Sequence, residues 1–555
     1  MVHSTSHTLP DATPISIAFG NKNVTKVGGL PFVMGFMRKR KILEGLSNIL
    51  TPAFPRPLIP YKYSHQDILD QMMAGYFTGH FHFSDAVDVK CDPLYVQSLS
   101  AQQASCPATL HRYIDRIAKQ LSEEQQKALE EAGITDPAKT DIQYISTPLM
   151  TLLNFSLLDT ALKFLKKRVS GPIIIDVDGT PLPVHGKQEM SAYDGHYQCN
   201  CYLPIFITIN NLPSFMQNAP GAANGASLFF NHIDAILKRV KKAFPHKKII
   251  VRGDTGYNSD ALISKIVEHD CRYIIGANAA GGKKQTRALK EQVIKDLGEK
   301  AASEKIPADV LRFFLSDDFE LTPSPSGRPY PEEVAKFRCC GILKDYQAPS
   351  WSTERTYVCY RLQFNLDFNK ADGGVDLRYV QTNLTRRELL AVTRGRGQRK
   401  GRSDAEASFE NKASDARLAI EFYEALFCDR AQDERLNCEW KSQCYACSCS
   451  CSSFFANSVR MLLSGFAMLI LALLRNHLWP TAAEETVGHR NSKKPNVSRA
   501  HSAEKLHCGP TLQAIRDHFI NAVATIKQTK SRLLIHFQTM TPFWEAALVR
   551  YAENP

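Results

Sequence analysis

Two aspartates close the apolar run Ile173-Ile174-Ile175-Asp176-Val177-Asp178-Gly179-Thr180, and a third closes Ile249-Ile250-Val251-Arg252-Gly253-Asp254. A carboxylate at the end of an apolar strand is held rigidly at the rim of a sheet. There it can attack phosphorus itself, or it can hold divalent ions that activate another nucleophile. Asp176 and Asp178 share strand parity, so both point to one face and compete for the first position. A two-metal site needs a third acid, because two ions about 3.5 to 4 Å apart take one shared ligand and at least one private ligand each. The late candidates are Glu406 and Glu410 in "RGRGQRKGRSDAEASFENK", and Glu434 in "FCDRAQDERLNCEWK". Phe427, Arg430, Glu434 and Lys441 stand at i, i+3, i+7 and i+14. On one continuous α-helix they form a single stripe, since seven residues fall about 20° short of two turns. A carboxylate for metal and two cations for DNA phosphates then share a face. Glu406 and Glu410 follow a Gly- and Arg-rich stretch and have no such neighbours.

The elements that must position these acids follow from the patterning. From Gly171 the sequence reads as strands: "IIIDVD", then "CYLPIFITIN" (Cys201 to Asn210), a helix from Ala226 to Phe244 and the strand "KKIIVRGD" (Lys247 to Asp254). A helix over Asp260 to His269 and the strand "CRYIIGA" (Cys271 to Ala277) complete a mixed α/β sheet. "TYVCYRLQFNLDF" (Thr356 to Phe368) and "RYVQTNL" (Arg378 to Leu384) alternate as strands and read as a β-rich insertion. The chain before residue 165 reads as mostly helical. In its segment Ser100 to Ile117, Pro107 opens a helix, and Thr109, His111, Arg112 and Arg116 are candidate DNA-facing residues; an ordinary helical hairpin fits the same pattern. The expected segments are thus a helical region over 1–165, a catalytic core over 166–280 resumed over 386–479, an insertion over 281–385, and a linker with a C-terminal segment over 480–555.

A chain of 555 residues exceeds one core. Lys plus Arg number 68 against 56 Asp plus Glu, and the net charge of +12 suits a polyanionic partner such as nucleic acid. Five cations without an acid in Arg394 to Arg402 suit phosphates, or a solvated loop. Fifteen dispersed cysteines and no signal peptide suggest reduced thiols in a cytosol. Cys444, Cys447, Cys449 and Cys451 invite a zinc site. A helical register running on to Ser452 speaks against it, because C-x-C pairs splay apart on a helix. Met461 to Leu474 is apolar for 14 residues, short of the ~20 that span a bilayer, and reads as a buried core helix with no membrane partner.

Phe427, Arg430, Glu434 and Lys441 match, with Phe in place of Tyr, the Tyr-x2-Arg-x3-Glu-x6-Lys signature of the DDE transposases of bacterial insertion sequences, which this sequence resembles. "DVDGT" with "HGKQE" (Asp176 to Glu189), "GHYQCNCYLP" (Gly195 to Pro204), "RGDTGY" (Arg252 to Tyr257), "VQTNL" (Val380 to Leu384) and "SSFFANSVRMLL" (Ser452 to Leu463) extend the resemblance over about residues 170 to 475. It implies an α/β fold with a ribonuclease H-like catalytic domain, a β-rich insertion and a helical N-terminal DNA-binding region. Asp178, preferred to Asp176 because Thr180 follows it by two, Asp254 and Glu434 would be the catalytic, metal-holding triad. Phe427, Arg430 and Lys441 would contact DNA. The cofactor would be two Mg²⁺ ions, replaceable by Mn²⁺. The enzyme would bind terminal inverted repeats, cut there and join the ends to target DNA as a homodimer, in a bacterial cytoplasm at the nucleoid.

Three other functions fit parts of the pattern. A haloacid-dehalogenase-like phosphatase would use Asp176 as nucleophile, with Gly253-Asp254 and Asp260 as its acidic loop. Against it, the 76 residues from Asp178 to Asp254 leave little room for its helices and catalytic lysine, and the sequence after Thr180 reads as a β-meander. A transposase-derived protein could bind ends without cutting. A metal-dependent nuclease would cut without joining.

Overall fold

In the computed structural model the described residues are 2–8, 14–18, 23–54, 62–134, 145–169, 171–195, 197–277, 295, 338–344, 357–365, 374–389, 418–419, 421–428, 431–479, 509–529, 532–538 and 540–553. The chain divides into two compact units, each discontinuous in sequence. One comprises Met1–Gln120, Glu439–Ser448 and Phe455–Pro555; the other comprises Leu121–Cys438 and Cys449–Phe454.

The second unit is built on an eight-stranded mixed sheet. Its strands are β1 (Ile173–Gly179), β2 (Ile205–Ile209), β3 (Leu212–Gln217), β4 (Ile249–Gly253), β5 (Arg272–Ala277), β6 (Arg338–Lys344), β7 (Tyr357–Asn365) and β8 (Gly374–Thr382). Their spatial order is β6-β7-β8-β5-β4-β1-β2-β3. β4 runs parallel to β1 and to β5, and every other pairing is antiparallel. β1 is central and covered on both faces, which is why Ile173, Ile174, Ile175 and Val177 follow one another without polar alternation until the aspartates. The strands read from the sequence as an insertion continue this same sheet, with β8 paired to β5. The expected single strand Cys201 to Asn210 is two: Cys199–Tyr202 pairs within a small three-stranded sheet, and β2 starts after Pro204, which has no N–H to offer a ladder.

Helices cover the sheet according to strand parity. Helix α1 (Pro148–Leu165) packs on β3. Helix α2 (Gly225–Ala243) is capped by Asn224, whose side chain accepts from Ala226 N at 2.8 Å, and ends at Phe244 because Pro245 follows. Its buried Leu228, Phe229, Ile233, Ile236, Leu237 and Val240 recur at helical spacing. Helix α3 (Asp260–Glu268) links β4 to β5. Ile250 and Ile274, of the other parity on β4 and β5, form a core with Phe422, Tyr423 and Leu426. These last belong to a π-helical stretch, Glu421–Phe427.

The first unit gathers helices Leu30–Lys39, Glu44–Ala53, His65–Thr78, the part of Pro107–Glu131 up to Gln120, and all but the first residue of the apolar Phe454–Leu478. Pro107 does open its helix. The N-terminal region also contains strands, Val2–Thr8 paired with Pro14–Ala18, and Val24–Thr25 added to the hairpin Ala524–Gln528 and Leu533–Phe537. Phe454–Leu478 is long and apolar enough to cross a membrane, yet the whole of its most apolar 18-residue window is buried inside the protein.

Candidate active site

Asp176 and Asp178 do share a face of β1, and their surroundings separate them. The register places Arg252 of β4 beside Asp176. The two side chains form a buried two-pronged ion pair, with Arg252 Nη2 donating to Asp176 Oδ2 at 2.7 Å and Nε to the other oxygen. Asp176 is 2% exposed and Arg252 1%. A third donor of the same guanidinium, Nη1, binds the carbonyl of Leu426 in the π-helical stretch. Both oxygens of Asp176 are therefore occupied, whereas Asp178, two residues nearer the strand end, is only partly buried. Arg252 was visible in the sequence only as part of "RGDTGY"; its pairing depends on a strand register that no local pattern displays.

The β1–β4 ladder ends at Val177 opposite Gly253, so Asp178 and Asp254 occupy the next position on neighbouring parallel strands, about one strand spacing of 4.7 to 4.9 Å apart in the backbone. Asp254 leaves β4 as the cap of the short 3₁₀ turn Thr255–Tyr257, its Oδ1 accepting from Gly256 N at 2.8 Å. Gly276 on β5 makes room for this turn: a Cβ there would stand 2.9 Å from Thr255 N and 3.2 Å from Asp254 C. Tyr197 senses both acids. Burial first, and then the charges of Asp178, Asp194 and Asp254, push its phenol upward. Tyr197 lies within the quoted "GHYQCNCYLP" stretch but carried no expected role.

Glu434 lies in helix α4 (Ala431–Cys438), exposed, while Asn437 three residues on is buried. Asn437 Nδ2 donates to Asp178 Oδ2. Residues three apart on a helix share a face with Cβ atoms about 5 to 6 Å apart. The Asn437 bond therefore turns the Glu434 side of α4 toward Asp178. Asn437 Oδ1 is buried without a hydrogen-bond partner.

The expected stripe is interrupted. Among the described residues of this stretch, α-helical geometry holds for Ala431–Cys438, with π-helical Glu421–Phe427 before it and Glu439–Gln443 after it. The i→i+5 bonding of those flanks rotates residues away from the seven-residue repeat. Phe427 is half-buried against the Phe422 core with its ring 5.6 Å from that of Tyr423. Lys441, half-exposed, belongs to the other unit, and Arg430, Glu406, Glu410 and the Arg394 to Arg402 run lie outside the described residues.

The cysteine segment also departs from expectation, because the helix ends at Gln443 and residues 444–453 are turns and irregular backbone. Cys444 is fully buried, its thiol pushed up to about 12 by that burial, so it is a protonated packing group. Gln188 and Glu189 of the "HGKQE" stretch hold the end of this segment: Gln188 Nε2 donates to Cys449 O at 3.0 Å, and Phe454 N donates to Glu189 Oε2 at 2.9 Å. Among the described residues no three His, Cys, Asp or Glu side chains are drawn together as a ready metal cluster. The donors at the rim are nevertheless of one kind, carboxylate and amide oxygens, the set that hard divalent cations take. The unpartnered Asn437 oxygen beside Asp178 adds an unspent donor of that kind. No helix follows Asp178; the chain enters the small sheet and returns as β2, antiparallel to β1, which is not the strand-to-helix step of the phosphatase pattern.

The family described as "Transposase DDE domain group 1" matches residues 8–490. Among solved structures, one similar chain is described as "Cryo-EM structure of piggyBac transposase synaptic complex with hairpin DNA (SNHP)", at 8% identity, covering 73% of this chain and 74% of that one, with a TM-score of 0.27. No curated protein matches the sequence.

Proposed function

This chain belongs to the transposase DDE domain family, and we propose that it is the transposase of an insertion sequence, cutting DNA at terminal inverted repeats and joining the freed ends to target DNA. The observation that carries the reading is the meeting of Asp178 and Asp254 at the ends of adjacent parallel strands, with α4 hydrogen-bonded to Asp178 through Asn437. The spatial order β3-β2-β1-β4-β5, antiparallel on one side of β1 and parallel on the other, supports the ribonuclease H-like description of this core.

Asp178, Asp254 and Glu434 would hold two divalent ions, Mg²⁺ or in its place Mn²⁺. When bound, such ions supply the positive charge that stabilises attacking and leaving oxygens in an in-line displacement at phosphorus. The chain's own residues do the positioning. Arg252 neutralises Asp176 and fixes β1 against β4. Asn437 engages one oxygen of Asp178. Arg430 and Lys441 are proposed phosphate contacts, and Phe427 keeps the aromatic face of the Tyr it replaces. The N-terminal helices are proposed to bind the element ends, with two copies acting together because two ends must be joined.

The test uses the DNA flanking the gene as substrate. Cleavage and strand transfer should require Mg²⁺ or Mn²⁺ and disappear in Asp178→Ala, Asp254→Ala and Glu434→Ala, with end binding retained, while Glu406→Ala and Glu410→Ala stay active. A fully active Glu434→Ala enzyme would remove that residue from the site.

A further inference from the structure

Helix His65–Thr78 and the start of helix Pro107–Glu131, both in the first unit, border a cavity of about 490 Å³ together with Phe54 and residues 62–64. Small-molecule sites measure roughly 300 to 1,000 Å³. A second cavity in this unit, bordered by Tyr76 and Phe83, measures about 20 Å³, space for little more than one water.

The larger cavity is chemically one-sided. Lys62, Arg112 and Arg116 line it, and among the described residues no carboxylate does. Asp67 and Asp115 adjoin lining residues in sequence without lining the cavity themselves; Asp67 is turned to its own helix cap, accepting from Ser64 N at 2.8 Å and Ser64 Oγ at 2.7 Å, and from Ser100 Oγ at 2.7 Å. The rest of the wall is mostly aromatic, Phe54, Tyr63, His65 and Tyr113, completed by Ser64, Ile68 and Thr109. The Arg116 guanidinium lies 5.4 Å from the centre of the Phe54 ring, and the Lys62 ammonium 5.6 Å from that of Tyr63. Tyr113 and His65 are locked together, with the Tyr113 hydroxyl 2.9 Å from His65 Nδ1. Lys62 and Arg112 are exposed, so the cavity opens to solvent at its cationic edge.

Aromatic walls with a mouth of permanent cations suit a ligand that joins a planar base to a phosphate: the base stacks and the phosphate pairs with the cations. A base inside a duplex has both faces covered by its neighbours. We propose that this cavity takes one unpaired nucleotide of a DNA strand, base against Tyr63 and the aromatic wall, phosphate at Lys62 and Arg112. The proposal rests on the reading above that DNA is the substrate, and it assigns to the first unit a contact with distorted or single-stranded DNA that sequence-specific duplex binding does not require.

The experiment measures equilibrium binding by the full-length protein, without divalent ions so that nothing is cut. Three probes are compared: a labelled duplex with one bulged nucleotide, the same duplex fully paired, and free dAMP as competitor. The bulged duplex should bind more tightly than the paired one. Tyr63→Ala should weaken the bulged complex about fivefold or more, the lower end of what base stacking on a ring contributes. Arg112→Ala should lower its log-log salt slope by about 0.7, one single-strand phosphate. Tyr63→Ala should leave binding of the paired duplex unchanged, Arg112→Ala should cost the bulged complex more than the paired one, and the thermal midpoints should match wild type. Equal binding of bulged and paired DNA by wild type, or equal losses on both probes in the variants, overturns the proposal; displacement by micromolar dAMP reassigns the cavity to free nucleotides and overturns the strand assignment. Because no cleavage is read, failure here leaves the metal-dependent chemistry standing, and inactivity in the cleavage assay leaves this binding difference standing.

Discussion

Asp176 and Asp178 have the same side chain on the same face of the same strand, and only their partners differ. Asp176 is buried and doubly bonded to a buried arginine. Breaking such a pair from either side leaves an uncompensated charge in the interior and costs about 3 to 5 kcal/mol. Arg252→Ala and Asp176→Ala should therefore lower the urea midpoint of unfolding sharply, whereas Asp178→Ala, at a partly exposed rim, should stay within about 1 kcal/mol of wild type while losing cleavage. Equal stability losses at 176 and 178 would erase the distinction between a structural and a catalytic acid. On the proposed reading Asn437 is a positioning residue, acting through its hydrogen bond to Asp178. Asn437→Ala should reduce metal affinity or turnover about 10- to 100-fold, as loss of a ligand's hydrogen-bond partner does. Asn437→Asp should instead place a second carboxylate against Asp178, raise the carboxyl pKa of that pair and move the rising limb of the pH–rate profile to higher pH. A purely structural role would leave the pH profile where it is. The candidate acids were legible in the sequence because each closes an apolar run that reads as a strand, which places it at the rim of the sheet. The choice between them and the role of Asn437 were not, since both depend on partners 76 and 259 residues away.

At the scale of elements, short segments carry geometry that side-chain pattern does not encode. The strands around Asp178 and Asp254 were legible because central parallel strands read as unbroken apolar runs, and α2 because its apolar residues recur at helical spacing. The π-helical stretches on either side of α4 were not: a shift from i→i+4 to i→i+5 bonding changes no residue type, and the heptad spacing of Phe427, Glu434 and Lys441 presupposed a regular helix. Gly276 is a place where the sheet depends on a missing Cβ. Gly276→Ala drives a methyl into the Thr255 amide, which is overpacking at a cost of about 1 to 3 kcal/mol. Because the displaced backbone carries Asp254, cleavage should fall further than stability alone explains. Cleavage per folded molecule equal to wild type would show that the turn absorbs the methyl harmlessly. Helix α2 holds a pH-sensitive group. His232 lies beside the rings of Phe155 and Phe215 with Ser146 Oγ 3.2 Å from its Nε2, and burial lowers its pKa to about 4. The unfolded imidazole takes a proton near pH 6.5 and the folded one does not, so stability is full above 6.5 and falls as the pH drops toward 4. The loss is on the order of 3 kcal/mol. Between pH 7 and pH 4.5 wild type should lose stability relative to His232→Phe, which lacks this proton linkage; urea midpoints that fall in parallel for the two proteins would show that His232 does not carry it.

At the scale of the whole molecule, the C-terminal segment belongs to the first unit, an arrangement no local pattern announces because its bonds to Phe32, Tyr76 and Phe77 span more than four hundred residues. Arg516 is buried, and its guanidinium donates to the carbonyls of Tyr76 and Phe77 at 3.1 Å each. Tyr551 reaches Phe32 O at 2.8 Å. Trp479, just beyond the apolar helix, stacks on Phe543 with ring centres 5.5 Å apart and meets Trp544 edge-on, and the rings of His477 and Tyr551 also meet edge-on. The apolar run Met461 to Leu474 was legible as the middle of a buried helix; that the helix extends over Phe454–Leu478, long enough to cross a membrane, and what covers it were not. Removing residues 509–555 should therefore do more than shorten the protein. It strips partners from one end of the long apolar helix Phe454–Leu478 and leaves the carbonyls of Tyr76 and Phe77 without their Arg516 donor, each such loss costing about 1 to 3 kcal/mol. The first unit should become protease-sensitive and the protein should self-associate through the uncovered helix, while the β1–β5 sheet, which draws none of its residues from this segment, keeps its protection in hydrogen exchange. Arg516→Ala should show the same selectivity in milder form. Uniform loss of exchange protection across both units in Arg516→Ala would mean that the two unfold as one cooperative body, and that the division of the chain into units has no energetic counterpart.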